Sequence, residues 1–157
     1  MPIYNGNASA RISGNSKYPG IKGSVTFRQT LTGVLVTANI FGLPDNEENF
    51  RNGVYAFHIH SGVSCTGNLE DEFADAGMHY NPYNAIHPYH AGDLPPLFSN
   101  NGHAYMQILT DRFKLYDIIG KVIIIHAGTD DFKTQPSGNS GEKIACGRIL
   151  RNNFVTY

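Results

Sequence analysis

The chain has 157 residues, and we expect one domain over residues 1–157 that is large enough to bury a substantial core. Hydrophobic residues make up 41% of it and charged residues 16%, and no apolar run approaches the roughly 20 residues that cross a bilayer. The formal net charge of -1 argues against a general nucleic-acid-binding protein, which would normally carry a basic surface.

Short alternating or β-branched segments bounded by Gly, Pro and Asn predict about eight strands along the chain. The predicted strands cover residues 8–12, 23–28, 33–41, 54–60, 104–109, 113–116, 121–126 and 143–150. Between them, residues 45–52 are expected to hold at most one turn of helix. Strands without intervening helices predict an all-β sandwich or barrel.

Two predicted connections, residues 61 to about 96 and residues 127–142, are too long for hairpins. Long loops in a compact domain are usually functional or disordered. Five of the seven histidines lie between Phe57 and Asp93, and His126 stands where the second loop begins. This distribution favours function, with both loops folded over one end of the same sheet.

Two groups of polar residues have spacings that suit metal ligation. His58 and His60 are two apart on a predicted strand, so their imidazoles point to the same face. His87, His90 and Asp93 follow one another at intervals of three in a turn-rich segment, where they can surround one ion. A single histidine in such a position is more often an ordinary surface or core residue than a metal ligand, but chance does not readily explain the whole set.

The candidate ligands exceed what one metal ion needs, because His79 lies between the two groups and can serve either. A set of four imidazoles suits copper, and it comprises His58, His60, His79 and His126. A second set suits zinc, and it comprises His79, His87, His90 and Asp93. A histidine shared by two ions would bind as an imidazolate. His103 is expected to be a surface turn residue without a role.

Five segments, in chain order, carry a resemblance to a known family: FHIHSGVSC, AGMHYNP, HPYHAGDLP, IIIHAGTDD and SGNSGEKIACG. They resemble the copper–zinc superoxide dismutase family, especially its bacterial members, and the match is strong from Gly53 to Leu150. The resemblance implies an eight-stranded Greek-key β-barrel with two long functional loops. It also implies copper and zinc as cofactors and superoxide as the substrate, which is converted to oxygen and hydrogen peroxide.

The same resemblance assigns roles to individual residues. The copper ligands that it implies are His58, His60, His79 and His126, and the zinc ligands are His79, His87, His90 and Asp93. His79 would bridge the two ions and, once released from copper, carry a proton for the peroxide product. Asp130 would link His58 to His87 through its carboxylate, which would fix the orientation of both rings.

The two cysteines, Cys65 and Cys146, are either separate thiols or a disulfide pair. A pair would enclose most of the domain, contribute roughly 4–5 kcal/mol of stability and indicate an oxidising compartment. The N-terminus lacks the features of a signal peptide, which favours a cytoplasmic location instead. Because the family resemblance implies the pair, we expect a disulfide and an extracytoplasmic location (periplasmic, cell-surface or secreted), with a cytoplasmic location as the alternative.

Lys143 is where the chain departs from the family, whose members usually have arginine three residues before the second cysteine. Lysine keeps the positive charge but lacks the planar fork of arginine. We therefore expect Lys143 to attract superoxide but to hold it less rigidly, with reduced activity as the result.

Charge in the first loop is also unfavourable for attracting an anion. Residues 61–93 contain no Lys or Arg but five acids: Glu70, Asp71, Glu72, Asp75 and Asp93. We expect these acids to face solvent away from copper.

The alternative function is a dismutase-like copper- and zinc-binding protein with little turnover that acts in copper handling. The family includes monomers and dimers, so a homodimer is one expected assembly.

Overall fold

The computed structural model describes residues 6–45 and 53–152, which form a closed barrel of eight antiparallel strands. The strands are β1 (Asn7–Gly14), β2 (Lys22–Gln29), β3 (Val34–Phe41), β4 (Val54–His60), β5 (Asp93–Asn100), β6 (His103–Thr110), β7 (Val122–His126) and β8 (Lys143–Arg151). Their order around the barrel is β1-β2-β3-β6-β5-β4-β7-β8. The predicted all-β Greek-key barrel is therefore confirmed.

The inside of the barrel is filled by alternate side chains of its strands. On β3, the residues that point inward are Val34, Val36, Ala38 and Ile40, and all four are fully buried. The residues between them are partly exposed. This period of two places β-branched and small apolar side chains in the core, as expected for a barrel with one face in water.

Strands β4 and β7 are buried on both faces over nearly their whole length. The side of β4 that faces the core comprises Tyr55, Phe57 and Ile59. His58 and His60 lie on its opposite, outer face, where residues 61–92 cover the barrel. Phe73 from this loop packs against Val122 and Ile124 on the outer face of β7. The two histidines therefore lie beneath a loop and not in open solvent.

Strand β5 is missing from the sequence-based prediction, because Pro95 and Pro96 disfavour a regular strand. The two prolines fall where the β4–β5 ladder shifts register, between the pairs Tyr55–Leu97 and Phe57–Leu94. The pairing of β5 with β6 begins only at Ser99. Neither proline is therefore needed as a backbone donor, which is why a strand can contain both.

The strand predicted at residues 113–116 is wrong, because this segment leads into a short helix, α1 (Leu115–Ile118). The Asp117 carboxylate accepts a hydrogen bond from the Lys114 N–H at 2.8 Å. The Leu115 N–H donates to the side chain of Gln29 at 2.9 Å. These bonds satisfy backbone donors at the helix start. The apolar alternation in this segment reflects burial of Phe113 and Leu115 and not a strand.

Helix is scarce in the described part of the chain, where α1 is joined by a 3-10 turn at Ala74–Ala76. Neither is long and apolar enough to cross a bilayer. The helical turn predicted at residues 45–52 lies, apart from Asp45, outside the described residues. Asp45 itself joins neighbouring segments, since its carboxylate accepts hydrogen bonds from Tyr55, Ser99 and the Gly102 N–H.

Candidate metal centre

Two groups of buried side chains lie side by side under the loops, and in each group the ligand atoms are within 4.8 Å of one another. The first group comprises His58, His60, His79 and His126. The second group comprises His79, His87, His90 and Asp93. The structure thus brings together both sets that the sequence nominated, and His79 belongs to both.

The first group is positioned by the neighbouring strands β4 and β7. His58 and His60 share the outer face of β4, and His126 ends β7 beside them. His79 reaches the group because its backbone pairs with that of His60 in an isolated β-bridge. The rings of His58 and His79 have their centroids 3.9 Å apart.

Backbone carbonyls orient two of these rings. His60 Nδ1 lies 2.8 Å from the carbonyl oxygen of Gly77, and His126 Nδ1 lies 3.2 Å from that of Gly141. Because a carbonyl only accepts, each Nδ1 must carry the hydrogen and each Nε2 keeps its lone pair. The two Nε2 atoms lie 3.2 Å apart. Two lone pairs at this distance suit a shared cation.

Burial keeps these imidazoles neutral. It lowers the pKa of His60 well below its usual range and lowers the pKa of His126 to about 3, and neighbouring histidines add to both effects. The neutral imidazole is the form that binds metals. The site therefore presents unprotonated nitrogens to an ion at neutral pH.

Asp130 connects the two groups through its carboxylate. Its Oδ2 accepts from His58 Nε2 and its Oδ1 accepts from His87 Nε2, both at 2.8 Å. Burial alone would raise its pKa, but the hydrogen bonds from His58 and His87 prevail and lower the pKa of Asp130 to about 2. With Nε2 protonated on both rings, the two Nδ1 atoms are left as electron-pair donors.

Asp93 closes the second group. Its carboxylate oxygens lie 2.8 Å from His79 Nδ1, 3.1 Å from His87 Nδ1 and 3.3 Å from His90 Nδ1. The His90 N–H donates to the same carboxylate at 3.0 Å, which fixes its rotation. Three imidazole nitrogens and one carboxylate oxygen form a donor set of the kind that holds zinc in a closed tetrahedral site.

His79 presents a different ring nitrogen to each group. Its Nδ1 contacts Asp93, whereas its Nε2 is buried without a hydrogen-bond partner among the described residues. The Nδ1 atoms of His58 and His87 are likewise buried without hydrogen-bond partners there. Orphaned buried nitrogens are costly unless a ligand satisfies them. These residues therefore fit copper at the first group and zinc at the second.

Two residues that sequence reasoning missed hold the loops against the second group. Gln135 binds the backbone of His87 twice, accepting from its N–H at 2.9 Å and donating to its carbonyl at 2.8 Å. The Arg112 guanidinium donates to the carbonyls of Pro88 at 2.9 Å and His90 at 3.2 Å. Neither belongs to a recognisable motif, because both act through backbone atoms of a distant segment.

Gly138 is a third residue that sequence reasoning missed. Its φ is 69°, in the region that favours glycine, and a Cβ there would lie 2.0 Å from Asp130 Oδ1. A Cβ would also lie 2.7 Å from His87 Nε2. Glycine at this position is therefore required for the second loop to pass over the hydrogen bond between Asp130 and His87.

A cleft of about 610 Å³ opens onto the first group, with His60, His79 and His126 in its wall. Lys143 on β8 lines it too, because β8 pairs with β7 so that Lys143 lies opposite His126. Three acids of the first loop line the same cleft, and they are Glu70, Asp71 and Glu72. The expectation that these acids face away from copper is therefore wrong.

The cysteines form a disulfide between Cys65 and Cys146 with a Cα–Cα distance of 5.7 Å, so the predicted pairing is confirmed. It fastens the first loop to β8, three residues beyond Lys143. Together with Phe73, the pair packs in the apolar cluster between this loop and β7. The disulfide thus joins the first loop covalently to β8, and both of these elements line the cleft.

Comparisons with known proteins agree with this geometry. The pattern of the copper/zinc superoxide dismutase family matches residues 21–149. The chain is 34% identical over 142 residues to a Cu-Zn superoxide dismutase of Aquifex aeolicus (81% of this chain, 78% of the relative). It is 38% identical over 135 residues to that of Legionella pneumophila (81% and 76%). The solved Cu/Zn superoxide dismutase from Brucella abortus matches with a TM-score of 0.76 and 26% identity, covering 90% of this chain and 98% of that one. The chain belongs to the copper/zinc superoxide dismutase family.

Proposed function

We propose that the chain converts superoxide to oxygen and hydrogen peroxide at the first histidine group. The main support for this function is the pair of adjoining buried donor sets that share His79. The residues that would hold copper are His58, His60, His79 and His126, and those that would hold zinc are His79, His87, His90 and Asp93. Bound copper supplies one-electron redox chemistry, and bound zinc supplies a fixed positive charge.

His79 is the residue placed to handle a proton. Its Nδ1 is directed to Asp93, so only Nε2 faces the first group and the cleft. When this Nε2 carries no metal, it can take up a proton and donate it to the peroxide product.

Removal and return of the metals tests this function. We expect the metal-free protein and the zinc-only protein to have no dismutase activity, and one copper with one zinc per chain to restore it. Metal analysis combined with an assay of superoxide loss measures both. His103→Ala is the matched control, since His103 is exposed and lies outside both donor sets. A fully loaded protein without activity would instead favour a copper-handling role.

Lys143 is the proposed anion-attracting residue of the cleft, which it lines beside His60 and His126. Since arginine offers a planar fork and lysine a point charge, we expect Lys143→Arg to raise kcat/KM by about 2–10-fold. Stopped-flow assays at several ionic strengths measure this. The control is Lys17→Arg, the same exchange at an exposed lysine of the rim. An unchanged kcat/KM and salt dependence in Lys143→Arg would contradict the role.

We also propose an extracytoplasmic location for the protein. The support is the Cys65–Cys146 disulfide, because such bonds persist mainly in oxidising compartments. Fractionation of the native cells, with the thiols trapped at lysis, tests the proposal. Recovery of the chain in the cytoplasm with both cysteines reduced would refute it.

A homodimer through the outer face of β5 and β6 is the assembly that we propose. Its support is the exposure of large apolar side chains on these two strands: Phe98 is 65% exposed, Tyr105 62% and Leu109 55%. Light scattering at micromolar concentration tests it, and a monomer mass would refute it.

Nucleic acid is not an expected partner, given the net charge of -1.

A further inference from the structure

Lys143 does not stand free in the cleft, because its ammonium group donates to the carboxylate of Asp71. The side chain of Lys143 is only 18% exposed and that of Asp71 is 38% exposed. By contrast, the other lysine of the cleft, Lys17, is 60% exposed and lies 3.6 Å from Glu142. Partly buried charges are screened less by salt than exposed ones. The pair of Lys143 with Asp71 is therefore the stronger of the two contacts.

The first loop holds Asp71 in this position. Its Oδ1 accepts a hydrogen bond from the Phe73 N–H at 3.0 Å, which leaves Oδ2 for Lys143. The next residue, Glu72, is anchored across the cleft, where its two carboxylate oxygens accept from the Ser16 N–H at 3.0 and 3.1 Å. Asp71 is therefore a fixed partner of the lysine and not a mobile surface acid.

Charge along the cleft is unfavourable for an anion. The charged side chains that line it are Lys17, Lys143, Glu70, Asp71, Glu72 and Glu142. Among the residues that the structure describes, two lysines thus face four carboxylates, an excess of two negative charges in the wall. A small anion that enters meets a repulsive rim and must share the Lys143 ammonium with Asp71.

We propose that Asp71 limits how tightly the cleft binds anions. By occupying the Lys143 ammonium, it lowers the affinity for stable anions such as phosphate and azide, which would otherwise block access to His60 and His126. The same contact lowers the rate at which superoxide is captured. This inference rests on the proposed role of Lys143 in attracting the anion.

The test is Asp71→Asn in the full chain loaded with copper and zinc. Asparagine keeps an oxygen for the Phe73 N–H but removes the charge that holds Lys143. We expect azide, titrated against the visible absorption of copper, to bind about 3–10-fold more tightly than in the wild type. Inhibition by inorganic phosphate should strengthen in parallel, and kcat/KM for superoxide should rise and become more sensitive to salt.

The matched control is Glu70→Gln, which removes one negative charge from the same cleft lining without touching Lys143. We expect it to change azide affinity by less than about 2-fold. Equal effects of the two variants would mean that only general charge matters, which would overturn the proposal. Weaker azide binding in Asp71→Asn would overturn it too, since Asp71 would then serve to position the lysine.

A second measurement needs neither copper nor turnover. In the metal-free chain, acylation of the Lys143 amine is measured by mass spectrometry relative to Lys17. We expect Asp71→Asn to raise this ratio several-fold, because the neutral amide no longer holds the amine in an ion pair. An unchanged ratio would contradict the contact between Lys143 and Asp71. Lack of superoxide consumption by the loaded wild type would instead count against the dismutase function, so the two failures are distinguishable.

Discussion

Replacing Asp130 by asparagine is expected to weaken both metal sites at once, by about 10–100-fold in affinity for each ion. The carboxylate accepts from His58 Nε2 and His87 Nε2, and each bond directs the opposite nitrogen to a metal. An asparagine amide keeps one acceptor oxygen, but its NH₂ group cannot accept from the second ring. One of the two buried imidazoles therefore loses its orientation, and the other is bound less strongly.

Competition with a chelator of known affinity measures this effect for copper and zinc separately. Asp131→Asn is the control, because Asp131 fixes the neighbouring turn through the Lys133 and Thr134 N–H groups and is not among the partners of His58 and His87. It should leave both affinities within about 2-fold of the wild type. If Asp130→Asn retained both metals at wild-type affinity, the link between the sites would be only structural.

Loss of the Cys65–Cys146 disulfide is expected to be the largest single loss of stability. The bond closes a loop with a sequence separation of 81 residues. For a loop of that size the entropic model gives about 4–5 kcal/mol. In a domain of this size, that loss lowers Tm by about 8–20 °C. Because the first loop is tied to β8 by this bond, the cleft should also lose its shape.

Calorimetry of the metal-free Cys65→Ser, Cys146→Ser double variant against the oxidised wild type measures the loss. Adding a reductant to both proteins is the control, since only the wild type should then lose stability. Equal Tm values for the oxidised protein and the double variant would show that packing around Phe73 alone secures the loop.

The sequence predicted best those features that depend on spacing along the chain. His58 and His60 had to share a face of β4, and the first long loop had to supply the next three histidines of the chain. It failed where tertiary contacts decide the outcome. Pro95 and Pro96 are tolerated only because the β4–β5 ladder is irregular beside them.

Other contacts that hold the site together, unlike the Asp130 link that the family resemblance implied, could not be predicted from the sequence. Gln135 binds backbone atoms of a residue 48 positions away, and such a contact leaves no side-chain pattern. The direction of Asp71 followed from the anchoring of Glu72 on Ser16 and from its own bond to the Phe73 N–H. An acid in a polar loop gives no sign of this in the sequence, and exposure to solvent was the natural expectation.

The double-sided burial of β4 and β7 gives this small protein two interiors, an apolar one within the barrel and a second one beneath the loops that contains the metal-ligand groups. Odd-numbered residues of both strands belong to the first, as Ile59 and Ile123 do. Even-numbered residues lie beneath the loops, where His60 and His126 face the metal-ligand groups and Ile124 packs with Phe73. Adjacent residues of one strand therefore face different surroundings, so the packing of the barrel and the ligation of metals depend on separate positions.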